Sequence, residues 1–385
     1  MNDDSWRGHD LSARKGKITR TYNLEAVTKP DDIPVVVNYP PYFAFGDISM
    51  PGTYFTDSSV MVEYQAMGYE QHLKKASDDF VPYFMPWFGT GVLASAFGCD
   101  ITEPEPGKDP AVAGPCLRTT ADIAKLRIPD PTKDGWMPRV LGAIDYAREH
   151  SDLSPGLTDM QGPLDTAGLM CGHENLFTWA YEDPEAIDDL FGILTEALID
   201  WVKVQKEHIG EPLDQSNGLQ GVWSPKGVGI WLSEDDLVMA SPDVFEQFAV
   251  PQISRIFEAF GGGSLHYCGR GTQHLSSFHK IKNLRVISNS PMGDFDSFAA
   301  LHKQFGGQTT LHIQDIAPAN VETYYKGLFQ RIDDLRGVML TPFVINGVAM
   351  DNAGACASIE RDSFETINRV VDAVRESASE RLSGH

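Results

Sequence analysis

Eight short runs rich in β-branched and aromatic residues recur along the chain, separated by stretches with helical apolar spacing. This alternation limits the fold more than any other feature. The runs are Asp32 to Asn38 (DIPVVVN), Val81 to Trp87 (VPYFMPW), Gly156 to Gly162 (GLTDMQG), a fourth with two candidate halves, Leu219 to Trp223 (LQGVW) and Val228 to Leu232 (VGIWL), then Ser264 to Cys268 (SLHYC), Leu284 to Ser288 (LRVIS), Thr309 to Ile313 (TTLHI) and Gly337 to Pro342 (GVMLTP). Asp183-Pro184-Glu185 opens a helix running to about His208, Ser241-Pro242-Asp243 opens one running to Phe260, and a last helix covers Ile359 to Glu380. Strands that alternate with helices pair in parallel, and eight of them predict a closed α/β fold, the (β/α)8 TIM barrel, rather than an open sheet. A chain of 385 residues accommodates one such barrel with insertions.

The expected organisation is an N-terminal arm over residues 1–30, polar and basic in places (Arg14, Lys15, Lys17, Arg20), followed by one barrel domain over 31–385. Near 99–136 the rhythm breaks: EPEPGKDPAVAGPC and IPDPTKDG are rich in Pro and Gly and carry little periodicity, so this stretch reads as an inserted excursion. A net charge of -23 repels phosphate backbones and anionic headgroups, which argues against nucleic acid as a partner. No stretch approaches the roughly 20 apolar residues that span a bilayer, and the opening MNDDSWRGHD has no signal-like apolar run, so the expectation is a cytoplasmic protein without a membrane partner. Five scattered cysteines make no disulfide framework; any special one is a metal ligand, a nucleophile or a core filler.

Leu265-His266-Tyr267-Cys268-Gly269 ends the fifth run. Residues two apart on a strand face the same side with Cα atoms roughly 6.5 Å apart, so His266 and Cys268 share one space. An imidazole and a soft thiolate side by side suit zinc. A bare His-x-Cys is more often a buried thiol beside a hydrogen-bonded core histidine, but barrel enzymes place working residues at the C-terminal ends of strands. Zinc wants about four ligands. Cys356, in DNAGACA after the last strand, is the best third one. Glu234 and Asp235, with Asp236 in the loop after the fourth strand, offer an oxygen ligand or a base, and His312 offers a second imidazole. Acidic runs such as EDD are usually solvated caps, and Cys356 could simply pack beneath the last helix.

Several ordered segments resemble the uroporphyrinogen decarboxylase superfamily. They are DDIPVVVN, then Met160-Gln161-Gly162-Pro163 through Leu169 with the following HENLFTWAYEDPEAIDDLF, then WLSEDDLVMASPDVFEQFAVPQISRIFEAF, and finally LHYCG, which sits where the methyltransferase branch carries a His-x-Cys-Gly zinc motif. The resemblance runs from about residue 30 to the end and implies a (β/α)8 barrel. True uroporphyrinogen decarboxylases carry an arginine-rich motif that neutralises a polyanionic tetrapyrrole. Here NYPPYFAFGDISMPGTYF holds no arginine, and Leu169 takes the place of the expected tyrosine.

The closer resemblance is to the zinc-dependent, corrinoid-linked methyltransferases. It implies zinc on His266, Cys268 and Cys356, a corrinoid (cobalamin) carried by a partner protein, and methyl transfer between a small methylated substrate and the corrinoid protein or a thiol or folate acceptor. In that branch the last cysteine follows the final strand within a few residues, whereas Cys356 comes about ten residues late: the loop is longer and delivers the same sulfur, or the site is altered. Aromatic residues near predicted strand ends (Tyr39, Tyr42, Phe43, Phe45, Trp87, Phe88, Trp223, Trp231) suit an aryl methyl ether or a cationic methylammonium. Asp47, Asp165 and Asn289 are candidates for polar contacts. The first alternative is a metal-independent decarboxylase or lyase of a small acid, with Asp47, Asp165 or His312 in acid/base roles; the second is a non-catalytic binding subunit. A homodimer is compatible with the resemblance, the arm reaching across a twofold axis.

Overall fold

A computed structural model of the chain describes residues 4–38, 49–102, 108–351 and 354–384. Five strands, β1 (Ile230–Ser233), β2 (Gly263–Cys268), β3 (Leu284–Ser290), β4 (Thr310–Ile313) and β5 (Val338–Leu340), form a continuous parallel sheet in chain order. Ser233, His266, Ser288, His312 and Met339 lie opposite one another across it.

Single bridges close the ring. Val36 N donates to Leu340 O (2.8 Å) and Leu340 N to Pro34 O (3.0 Å), docking residues 34–38 on β5. Asp79 N donates to Val35 O (2.7 Å), Phe84 N to Ser154 O (2.9 Å), Gly162 N to Ser233 O (2.8 Å), and the circle returns to β1. Eight staves therefore surround one axis, a (β/α)8 barrel. The first three staves form only isolated bridges because Pro34, Pro82, Pro86 and Pro155 carry no N–H for a ladder. Carboxylates replace part of the missing pairing: Asp79 Oδ2 accepts from Val35 N (3.1 Å) and Asp78 Oδ2 from Val37 N (2.9 Å).

Of the two candidate halves of the fourth run, VGIWL enters the ring as β1. LQGVW belongs instead to an antiparallel hairpin, Ser216–Leu219 with Val222–Ser224. Its turn uses Gln220 (φ 45°) and Gly221 (φ 89°), the left-handed pair that a tight two-residue hairpin demands. Gln220 O accepts from Asn38 Nδ2 (2.7 Å) and Gly221 N donates to Tyr83 Oη (2.8 Å), so the tip is locked against the first two staves.

Residues expected to form an arm include a helix, α1 (Ser12–Tyr22), packed on the barrel through the fully buried Ile18 and through Lys17, whose Nζ lies 2.9 Å from Asp79. The weak apolar patterning hid it, because its core contacts are few and the cation it buries is paired. The helix from Pro184 runs to Ile209, as the capping residues predict. The one from Pro242 passes through a π turn at Phe245–Ala249 before continuing from Val250 to Ala259, which accommodates Pro251 without an N–H. The last helix starts at Ser363 and ends at Ser383.

In the excursion, Cys99 Sγ and Cys116 Sγ lie 2.6 Å apart and Asp109 accepts from Trp87 Nε1 (2.9 Å), which ties the insertion to the end of the second stave. Among the described residues no helix is long and apolar enough to cross a membrane.

Candidate metal centre

The strand period aims Ser264, His266 and Cys268 to one side of β2. Gly269 (φ 82°) then turns the chain away, and Asn289 Nδ2 holds that turn through Tyr267 O (3.2 Å) and Gly269 O (3.1 Å). His266 Nε2 lies 3.4 Å from Cys268 Sγ and 3.8 Å from Asp235 Oδ1, which also accepts from Cys268 N (2.7 Å). The three ligand atoms fall within 4.8 Å of one another, and theirs is the one such group found among the described residues. Two tetrahedral ligands at usual Zn–N and Zn–S lengths stand about 3.6 Å apart. The imidazole and the sulfur are therefore spaced to share one ion, and the nitrogen, sulfur and carboxylate donor set suits zinc.

Burial lowers the His266 pKa against the pull of Asp235, so the ring is neutral, as a ligand must be. Burial and the Asp235 carboxylate push the Cys268 thiol up; a cation supplies the opposite bias. Trp231 stacks on His266 with centroids 5.3 Å apart and covers one face of the ring.

Residues 29–213 match the uroporphyrinogen decarboxylase (URO-D) family. The match spans just under half of the chain and takes in the first three staves. A methylated-thiol–coenzyme M methyltransferase of Methanosarcina mazei is 29% identical over 164 residues, 42% of this chain and 41% of that protein. A uroporphyrinogen decarboxylase of Anaeromyxobacter sp. (strain Fw109-5) is 30% identical over 200 residues, 48% of this chain and 52% of the relative. The chain thus aligns with about half the length, or less, of these curated relatives. A solved methyltransferase from Methanosarcina mazei superposes with a TM-score of 0.65 at 19% identity, over 94% of this chain and 98% of that one, which supports the barrel fold over nearly the whole chain.

Within the matched segment and the barrel half beyond it, the other expected site residues occupy distinct places. Glu234 is buried and accepts from Asp165 N (3.0 Å) and Leu164 N (3.4 Å), capping helix α2 (Pro163–Cys171). Asp165 answers by accepting from Asp235 N and Asp236 N, both 2.9 Å. Burial raises both carboxyls, Asp236 and Asp235 raise Asp165 further and Asp165 raises Glu234, while the four backbone hydrogen bonds clamp the loop that carries Asp235. Asp236 pairs with His173 Nε2 (2.9 Å).

His312 turns toward α1, 3.3 Å from Tyr22 Oη, and burial followed by His266 lowers it to about 3. Trp223 lies beneath Lys15 (5.6 Å to its ring), against α1 rather than beside His266. Cys356 is exposed on an antiparallel hairpin, opposite Met350, and is not in the three-ligand group. A Cβ at Gly354 would come within 2.7 Å of Met292 O, so this hairpin rests on the turn after β3, at the same end of the barrel as Cys268. Tyr42 and Asp47 lie outside the described residues, as do Tyr39, Phe43 and Phe45.

The sequence reading passed over Asp159, although an acid inside an apolar strand run was the available signal. Burial, with Asp235 and Asp109 in electrostatic reach and one hydrogen bond from Gln161 (2.6 Å) opposing, pushes its carboxyl up to about 7. The folded chain therefore holds a proton that an unfolded Asp releases near pH 3.9, and stability falls as pH rises from about 4 to about 7, by up to about 4 kcal/mol. Asp159→Asn is expected to remove this slope. Urea unfolding at pH 5, 6, 7 and 8 should show the variant's advantage growing to pH 7 and then levelling; a pH-independent difference would refute the assignment.

Proposed function

We propose that this chain is a zinc-dependent methyltransferase that moves a methyl group between a small methylated substrate and a corrinoid protein or a thiol acceptor. The observation that carries this reading is the placement of His266 Nε2, Cys268 Sγ and Asp235 Oδ1 within ligand distance at the C-terminal ends of β1 and β2. The methyltransferase names of two similar proteins support it. Those three residues would hold the zinc, with Cys356 on its neighbouring hairpin as the candidate fourth ligand. Bound there, zinc supplies Lewis acidity that keeps a thiol ionised as a nucleophile.

The chain's own residues prepare the ligand set. Asp235 orders the Cys268 backbone, the Glu234–Asp165 clamp orders Asp235, and Trp231 shields the imidazole. Asp109, which accepts from the edge of Trp87, and Asp235 both lie in electrostatic reach of Asp159, and this acidic grouping favours a methylammonium-like donor over an uncharged aryl ether. Acid/base chemistry by Asp165 or His312, as in a decarboxylase, gains no support, since Asp165 is held by backbone donors and His312 by Tyr22.

Zinc-loaded protein supplied with methylcobalamin and a small thiol, or with cob(I)alamin and a methylated amine, is the direct test. Methyl thioether or methylcobalamin should form, detected by mass and by absorbance, and Cys268→Ala should slow it at least about a hundredfold. Transfer at an unchanged rate in that variant would refute the reading.

A further inference from the structure

Three buried side chains on adjacent staves form a line behind the metal centre. His266 Nδ1 lies 2.9 Å from Ser288 Oγ, and Ser288 Oγ lies 2.8 Å from Gln314 Oε1. His266, Ser288 and Gln314 expose 4%, 1% and 2% of their surfaces, so water does not compete for these contacts. The backbone sets the line: Ser288 is the register partner of both His266 and His312, Gln314 follows His312 by two residues on the same face, and Gln314 N donates to Asn289 O (3.0 Å).

A serine hydroxyl has one proton. With the amide oxygen of Gln314 toward it, Ser288 spends that proton on Oε1 and can only accept from Nδ1–H. The imidazole proton then sits on Nδ1, and the Nε2 lone pair points at Cys268 and Asp235. The reversed amide would donate to Ser288, turn the hydroxyl toward Nδ1, and place the proton on the nitrogen that must bind the ion. Among the described residues Gln314 Nε2 has no hydrogen-bond partner, so the orientation of the amide rests on Ser288.

We propose that Gln314 is a positioning residue that acts through Ser288 to present His266 Nε2 as a metal ligand. This rests on the metal-centre reading, and the experiment separates the two. Zinc affinity is measured on the stripped full-length chain by competition with a chromophoric chelator, for the unsubstituted protein, His266→Ala, Ser288→Ala, Gln314→Leu and Gln314→Glu, with thermal unfolding of each to establish folding. Gln314→Leu and Ser288→Ala should bind zinc about 10- to 100-fold more weakly, the usual effect of losing a partner behind a ligand. Gln314→Glu, which can only accept when ionised, should stay within about threefold of the original or bind more tightly. A purely structural Gln314 would not give this rescue. Gln314→Leu affinity equal to the original, or Gln314→Glu as weak as Gln314→Leu, overturns the proposal while leaving the metal centre intact. Equal zinc binding by the original and His266→Ala overturns both.

Discussion

Bound zinc is expected to fall from about one ion per chain to below about a tenth in both His266→Ala and Cys268→Ala, measured by elemental analysis after purification without chelator. The size of the effect follows from the ligand count. With three protein donors in reach, removing one leaves two, and the ion is left to water. Asp235→Ala should act more weakly on the ion but also loosen β2, because Asp235 Oδ1 accepts from Cys268 N (2.7 Å). Cys356→Ala reads the remaining question: an affinity loss like that of Cys268→Ala would mean that the exposed hairpin folds onto the centre, whereas an unchanged affinity would leave the three-residue set complete without it. Full zinc occupancy in Cys268→Ala would remove the metal centre altogether.

Asp78→Ala is expected to cost about 3–5 kcal/mol of stability, a third or more of what a typical domain possesses. Asp78 Oδ1 lies 2.6 Å from His72 Nε2, with both side chains wholly buried, and Oδ2 accepts from Val37 N (2.9 Å). The substitution strips His72 of this acceptor and leaves a stave N–H facing a void where proline-rich neighbours offer no replacement. Urea unfolding should show a lowered midpoint with an unchanged slope. A midpoint within experimental error of the original would mean that water or a shifted carbonyl fills the gap, and that the carboxylate does not hold the first two staves together.

Local patterning reached some elements and not others for identifiable reasons. Seven of the staves could be placed because short β-branched runs bounded by turn residues have few other uses. The fourth could not, since LQGVW and VGIWL carry the same strand signal and differ only in whether a parallel neighbour or an antiparallel one lies beside them. Helix α1 escaped because the residues it buries are Lys17, Ile18 and Thr21, of which only Ile18 is apolar. The acidic run Glu234-Asp235-Asp236 looked uniform, yet its three carboxyls go to a helix cap, a place beside His266 and Cys268 and an ion pair with His173, a division made by the loop's path and by α2. Trp223 and Trp231 looked equivalent and ended beneath α1 and against His266, respectively.

The sequence by itself determined that His266 and Cys268 face one way at the end of a strand, and that strands of this kind alternate with helices often enough to close a barrel. Both follow from short-range geometry: a twofold side-chain period and the spacing of apolar residues depend only on neighbours in the chain. Which oxygen joins that pair, where the last cysteine lies and how the imidazole proton is held were decided by the tertiary structure. Asp235 reaches the pair from 33 residues away, and Gln314 reaches Ser288 from 26. Contacts at such separations exist only once the ring has closed and its staves have settled into register.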